Sequence, residues 1–239
     1  MVVDRNGKFV TQREQPRLAL IETSIVDRRL RLSAPTAGVV DLPDAIPGAE
    51  SRDVVVWHSH VRGFDAGDAA AQWLSSFLGV PHRILRFDRS HARLCNPDYA
   101  GDSGAHTMFA DGYPLLVIGQ SSLDDLNTRL VAKGAAPLPM NRFRPNVVVA
   151  GLDPYAEDHL DTLESDGVAL RLVKPCVRCQ VTTTDQASGR VGIEPLHTLS
   201  TYRRNDALAG VLFGMNAIVV RGAGSALAVN GAVHAEYRF

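Results

Sequence analysis

Lys174-Pro175-Cys176-Val177-Arg178-Cys179-Gln180-Val181, running into Thr182-Thr183-Thr184-Asp185, is the stretch on which the reading of this chain turns. It holds two of the three cysteines, two residues apart, with a guanidinium between them and a proline in front. A thiolate is a soft metal ligand and a nucleophile, and neighbouring cations favour it over the thiol. The pair alone leaves several roles open. Half of a structural zinc site needs a second ligand pair at similar spacing. Cys95 is the one other cysteine, and pairs such as Asp158-His159 show no matching period. A thioredoxin-type dithiol follows a strand and opens a helix, whereas Gln180 to Thr184 is β-branched and polar and reads as more strand. Two partly buried thiols packed as small hydrophobes are the plain alternative.

A second feature precedes the first. Arg142-Phe143-Arg144-Pro145-Asn146 stands directly before Val147-Val148-Val149. Two guanidiniums at the mouth of a strand, with a stiffening proline and an asparagine amide, can clamp a phosphate or an anionic ring system. The same residues also suit an ordinary solvated strand entry with a turn-forming Pro-Asn pair.

Outward from these motifs the chain alternates short strands and a few helices. Lys8 to Gln12, Arg17 to Thr23, Arg29 to Leu32, Asp53 to Trp57 and His82 to Phe87 read as strands. Asp68 to Leu78 changes period, placing Trp73, Leu74, Phe77 and Leu78 on one face with Gly79 as a stop, so a helix is expected. Arg89 to Tyr113 is polar and long for a structureless connection, which marks a functional loop or a boundary. Pro114 to Gly119 is a buried-type strand. Ser121 to Lys133 reads as a helix with Ser121 as N-cap, Asp124 three residues on, an apolar stripe of Leu123, Leu126, Leu130 and Val131, and Gly134 as its end. Further strands are expected at Asn146 to Ala150, Val168 to Val173, Ala217 to Val220 and Ala226 to Tyr237, with one short helix from Glu194 to Tyr202.

Composition bounds the rest. At 239 residues and 45% hydrophobic, the chain suits one large domain or two small ones. A net charge of -1 gives no global field to attract nucleic acid or an anionic membrane. No apolar run reaches the roughly 18 residues that span a bilayer, and no signal peptide is visible, so neither nucleic acid nor membrane is an expected partner. Three cysteines do not suit a disulfide scaffold, and a cytoplasmic location is expected.

Taken together, the motifs resemble the MOSC family (the C-terminal domain of molybdenum cofactor sulfurase), in the branch of the mitochondrial amidoxime-reducing component and its bacterial relatives. The resemblance runs through Arg142 to Asn146, Asp153-Pro154-Tyr155-Ala156-Glu157-Asp158, Lys174 to Cys179, Thr182 to Asp185, Glu194 to Leu199 and Phe213-Gly214. In the first half it covers Lys8 to Arg13, Asp68 to Leu74 and Asp111-Gly112-Tyr113-Pro114. It implies an α+β, mostly β fold: a MOSC N-terminal-like β-barrel domain over 1–112, truncated at its start, packed with a MOSC β-barrel domain over 113–239 and a few helices.

The resemblance also implies a molybdenum–molybdopterin cofactor whose metal is bound by one protein thiolate, by position Cys179, which is then both the metal ligand and the catalytic residue. Cys176 becomes a supporting or packing residue. Arg144 and Asn146 match the family's contacts to the pterin phosphate and ring; Arg178 falls beside the metal and Asn216 beside the pterin; Asp111 and Gly112 lie in a segment that lines the cofactor. The implied activity is a molybdenum-dependent oxidoreductase that reduces small N-hydroxylated or N-oxygenated compounds by oxygen-atom transfer. The alternative is a non-catalytic carrier of molybdenum cofactor or sulfur, with Cys179 as a persulfide site. Relatives start with a further segment carrying a Lys-Ser pair and an Arg on the cofactor phosphate, and Met1 aligns just past that Arg. Three cysteines cannot hold an iron–sulfur cluster beside a molybdenum ligand, so electrons are expected from a separate reductase.

His58 and His60 flank Ser59 and could share a face of an extended segment, but without a third ligand a solvated loop is the expectation. His91, His106 and Asp102 are candidate substrate contacts. Trp57 and Trp73 are expected in the core.

Overall fold

Why the strand Gly210–Arg221 changes faces part-way along its length decides the geometry of the second half of this protein, and one glycine is responsible. In this computed structural model, which describes residues 1–44, 49 and 51–238, the strands and helices run as follows. They are β1 (Val2–Val3), β2 (Glu22–Val26), β3 (Arg29–Ala34), β4 (Gly38–Leu42), β5 (Ser51–Val56), β6 (Ser59–Asp65), α1 (Asp68–Leu78), β7 (Arg83–Phe87), β8 (Arg93–Leu94), α2 (Pro97–Ala100) and β9 (His106–Thr107). There follow β10 (Leu115–Gly119), α3 (Gln120–Ala132), β11 (Val147–Val149), β12 (Leu160–Ser165), β13 (Val168–Arg178), α4 (Leu196–Ser200), β14 (Arg204–Asn205), β15 (Gly210–Arg221) and β16 (His234–Tyr237). The fold is α+β and mostly β.

Two units emerge, Met1–Arg93 with Thr184–Gly192, and Leu94–Thr183 with Ile193–Phe239. The sequence reading sets its boundary after residue 112.

In the first unit, β1, β7, β6 and β5 form one antiparallel sheet and β2, β3 and β4 another. Helix α1 buries Ala70, Leu74, Phe77 and Leu78 against Leu32, Leu42 and Ile84. Gly79 stops it in the left-handed region at φ 78°, as expected of a glycine C-cap. Two expected strands do not form here. Pro16 opens a 3-10 helix over Pro16–Leu20, because its fixed φ suits a first helical turn, and the strand starts only at Glu22. Lys8 and Phe9 make isolated bridges instead of a strand. Trp73 is held in the core with its indole N–H on the Ala37 carbonyl. Trp57, by contrast, is 39% exposed at the β5–β6 turn, where Phe9 meets it edge-on and Arg13 stacks over it.

In the second unit a seven-stranded sheet runs β11-β10-β15-β13-β12-β16, with β14 also on β15. One face buries Val117, Leu170, Leu172, Met215 and Ala217. On the other, Ile118 and Phe213 pack with Leu123, Leu126 and Leu130 of α3, with Phe143 and with Leu199 of α4. Phe213 and Met215 are two residues apart and would share a face on a regular strand. They do not, because Gly214 adopts φ 79°. Pro175 pairs with Met215 and Val177 with Leu212, so Phe213 and Gly214 together oppose the single residue Cys176. This is a β-bulge placed on the first cysteine of the motif. A Cβ at Gly214 would lie 2.7 Å from Ile118 Cγ1 and 2.8 Å from the Val117 carbonyl, so the bend and the packing both require glycine.

Several boundaries move for tertiary reasons. Ser121 is not the N-cap of α3: the cap is Gly119, and the carboxylate of the buried Glu157 accepts its N–H at 3.0 Å and the Ser122 hydroxyl at 2.7 Å. Val131 is 57% exposed, so the apolar stripe of α3 is Leu123, Leu126 and Leu130. The polar stretch 89–113 contains β8, α2 and β9. The last strand is confined to His234–Tyr237, and the Glu194 to Tyr202 helix to Leu196–Ser200.

Candidate functional site

The cysteine motif is the end of a strand. β13 continues through Lys174, Pro175 and Cys176 to Arg178, and Cys179 is the first residue beyond it. The chain then turns into a 3-10 helix over Gln180–Thr183 rather than the further strand expected. The reason is local: Thr182 donates to the Cys179 carbonyl through both its N–H (3.1 Å) and its hydroxyl (2.9 Å), and the Thr183 hydroxyl donates to the Gln180 carbonyl at 2.8 Å. Threonine side chains that bond back to nearby carbonyls compete with a strand ladder.

Arg142 locks that turn from outside. Its guanidinium is buried, with Nε on the Thr182 carbonyl at 3.1 Å and Nη2 on the carbonyls of Thr183 (3.1 Å) and Glu194 (3.2 Å). The expected two-guanidinium clamp is therefore a division of labour. Arg142 is a strut under the cysteine turn, and the neighbouring Arg144 is exposed. Arg144 also holds φ 55° immediately before Pro145, a conformation costing on the order of 1–3 kcal/mol. Its backbone N–H reaches the Asn141 carbonyl at 3.3 Å.

Arg178 turns toward the first cysteine. Nη1 donates to Cys176 Sγ at 3.1 Å and Nη2 to the Phe143 carbonyl at 2.7 Å, while Nε is buried with no hydrogen-bond partner among the described residues. Burial pushes the Cys176 thiol up from its ordinary range, against the pull of the Arg178 charge and hydrogen bond, and the Asp111 charge adds to the rise. Cys179 is partly exposed, and no disulfide joins Cys95, Cys176 or Cys179.

The two asparagines lie in one row across the sheet. Asn146 donates its N–H to the Leu116 carbonyl and accepts the Leu116 N–H on its side-chain oxygen, both at 2.9 Å. Leu116 pairs with Asn216, and Asn216 pairs with Lys174, whose carbonyl accepts from Asn216 Nδ2 at 3.2 Å. Each amide is fixed at one end, which leaves Asn146 Nδ2 and Asn216 Oδ1 as oriented polar atoms. Asp111 and Gly112 are exposed in the loop before β10. Beside it, Tyr113 is buried with Cys95, Ala100, Val173 and Ile218, and its hydroxyl has no partner among the described residues.

The other candidates lie elsewhere. His58 and His60 are exposed at the β5–β6 turn. His91 sits 3.7 Å from Asp88 in the first unit, and Asp102 and His106 are exposed. Arg142 as a strut was missed by sequence reasoning, which had no local signal for a guanidinium spent on carbonyls 40 residues away.

The donor set tests what such a site can hold. Among the described residues no group of three or more His, Cys, Asp or Glu side chains converges on a metal. A metal bound here takes one thiolate from the protein and must bring its remaining ligands, as the dithiolene of a molybdopterin does. An exposed guanidinium, a buried guanidinium N–H with no partner among the described residues and two oriented amides suit the anionic, hydrogen-bonding body of that group. The residues present fit it.

Residues 1–81 match the MOSC N-terminal beta barrel domain and residues 104–234 the MOSC domain. The chain is 36% identical to human mitochondrial amidoxime-reducing component 1 over 220 residues, covering 90% of this chain and 64% of that protein. It is 35% identical to the mouse protein of that name over 222 residues (90% and 63%). Against bovine mitochondrial amidoxime reducing component 2 the identity is 34% over 211 residues (86% and 62%). The chain thus spans a little under two thirds of the length of these relatives. With more than half of its residues matched by the family's central domain, the chain belongs to the MOSC domain family.

Proposed function

We propose that this protein is a molybdenum-dependent reductase of small N-hydroxylated compounds. One observation carries the reading: Cys179, a partly exposed thiol just beyond the end of β13, sits in a turn braced by Thr182 and Arg142, and among the described residues no group of three or more His, Cys, Asp or Glu side chains gathers around it. The relatives named as amidoxime-reducing components support the same class of substrate.

In this reading Cys179 is the protein's one metal ligand. Arg144 and Asn146 hold the phosphate and ring of the pterin, Asn216 orients it from β15, and Asp111 and Gly112 line it. When bound, a molybdenum–molybdopterin group supplies two-electron oxygen-atom transfer, taking the oxygen of an N–O bond. The chain's own part is binding and orientation. Arg178, tied to Cys176 and to the Phe143 carbonyl, places a fixed positive charge one residue before Cys179 in the chain. The turn braced at Thr182 and Thr183 keeps the thiol from swinging away. Reduction of an amidoxime to an amidine breaks the N–O bond and releases water, consuming two electrons and two protons. The electrons come from a separate reductase.

The test is full-length protein co-expressed with molybdenum-cofactor synthesis, assayed for molybdenum, pterin and reduction of benzamidoxime with a supplied electron source. Cofactor with turnover is expected. Protein free of molybdenum and pterin would sink the reading, and cofactor without turnover would make the chain a carrier.

A further inference from the structure

Lys174 carries a charge that the proposed site leaves unused. It pairs with Asn216 across β13 and β15, and directly paired residues of antiparallel strands share a face. Met215 and Ala217 point into the core with Leu172. Alternation along β15 therefore sets Asn216, and Lys174 beside it, on the opposite face. A separate contact agrees. Lys174 Nζ lies 4.4 Å from the ring centroid of Tyr99, and Tyr99 packs against the cluster of Tyr113, Val173 and Ile218 on that face. The side chain is only partly exposed, and among the described residues no carboxylate is within ion-pair distance of it. A half-buried ammonium seated on an aromatic ring without a counter-charge is poised to accept an anionic group.

We propose that Lys174 is a specificity-determining residue that selects N-hydroxylated substrates bearing an anionic group, a carboxylate or a phosphate. The inference rests on the reductase reading of the Cys179 site. An anion at Lys174 has two sources, the substrate or the phosphate of the cofactor itself, and the experiment separates them.

Full-length protein, co-expressed with cofactor synthesis, is titrated by calorimetry with benzamidoxime and with 4-carboxybenzamidoxime. Wild type, Lys174→Gln and Lys174→Arg are compared, with molybdenum and pterin measured on the same samples. Wild type is expected to bind the carboxylate more tightly by about tenfold, the size of one charge-assisted hydrogen bond, and the preference should weaken as salt is raised. Lys174→Gln should lose the preference with its cofactor content kept, and Lys174→Arg should restore most of it. No preference in wild type, or one that survives Lys174→Gln, overturns the proposal. So does a fall in cofactor content in Lys174→Gln, which would give the anion to the cofactor. Turnover of neutral benzamidoxime is followed in parallel. Its absence refutes the reductase reading, while the carboxylate preference still decides the role of Lys174.

Discussion

Arg178 donates to the sulfur of Cys176 at 3.1 Å, so the guanidinium between the two cysteines is committed to the first of them. The bulge formed by Phe213 and Gly214 opposite Cys176 deepens the asymmetry. Cys176 is fixed within the sheet by a neighbour's hydrogen bond, and Cys179 stands beyond the strand end. A CxxC spacing that suggests equivalent thiols becomes one supporting sulfur and one presented sulfur.

The two cysteines should therefore separate on substitution. Cys179→Ser is expected to abolish molybdenum content and N-reductive activity together. Cys176→Ser should retain part of both, since it weakens the anchor of Arg178 without removing the ligand. Metal analysis and benzamidoxime turnover on matched preparations check this; equal loss from both variants would argue for a dithiol or zinc site.

Arg142→Leu should destabilise the fold by about 3 kcal/mol, because the Thr182, Thr183 and Glu194 carbonyls lose their donor in a buried setting. Urea denaturation followed by circular dichroism measures the loss. Arg144→Leu, a few residues away and exposed, should change stability by less than about 0.5 kcal/mol while lowering cofactor retention. If the two variants unfold alike, the division between strut and contact is wrong.

The acceptor that braces the start of α3 is the Glu157 carboxylate, delivered from another part of the chain. Glu157→Ala is expected to cost about 2–4 kcal/mol, since the Gly119 N–H and the Ser122 hydroxyl lose their acceptor. Gly119→Ala should cost about 1–3 kcal/mol, because the new Cβ would fall 2.8 Å from the Glu157 carboxylate and displace it. The double variant should be less harmful than the sum, a non-additivity that a thermodynamic cycle reads directly.

Burial pushes the Tyr113 phenol from 10 up to about 12, with Cys95, Tyr99 and Asp98 adding to the shift. Below pH 10 both folded and unfolded phenols are protonated, and the group gives stability no pH dependence. Between about 10 and 12 the unfolded state loses the proton more readily, so stability falls as pH rises. Tyr113→Phe should flatten that alkaline decline in chemical denaturation curves, only partly because burial also raises the phenols of Tyr155 and Tyr202. At neutral pH the variant should be as stable as wild type or more so by up to about 1 kcal/mol, since its hydroxyl has no partner among the described residues.

Much of the fold was legible in local pattern. The stripe of Leu74, Phe77 and Leu78 and the stop at Gly79 place α1 to the residue, and Leu123, Leu126 and Leu130 place α3. The errors share one cause: in each, a local propensity lost to a partner or a constraint it could not register. Gln180 to Thr183 has strand-forming composition, yet its threonines find carbonyls at three residues' distance and a guanidinium from Arg142. Ser121 looks like a cap, yet Glu157 supplies the acceptor from 38 residues on and the cap is Gly119.

By itself, then, the sequence determined which residues carry chemistry: a thiol pair around an arginine, a second arginine cluster before a strand, and the apolar periods that bury the sheets and helices. Those are properties of residue type and short spacing. Tertiary structure alone decided how the polar groups are used. It buried Arg142 and exposed Arg144, bound Arg178 to Cys176, and set Lys174 beside Asn216 on Tyr99. Hydrophobic burial repeats along the chain and can be read there. The satisfaction of a buried donor or acceptor depends on whichever distant group folding brings within about 3 Å, and no local pattern records it.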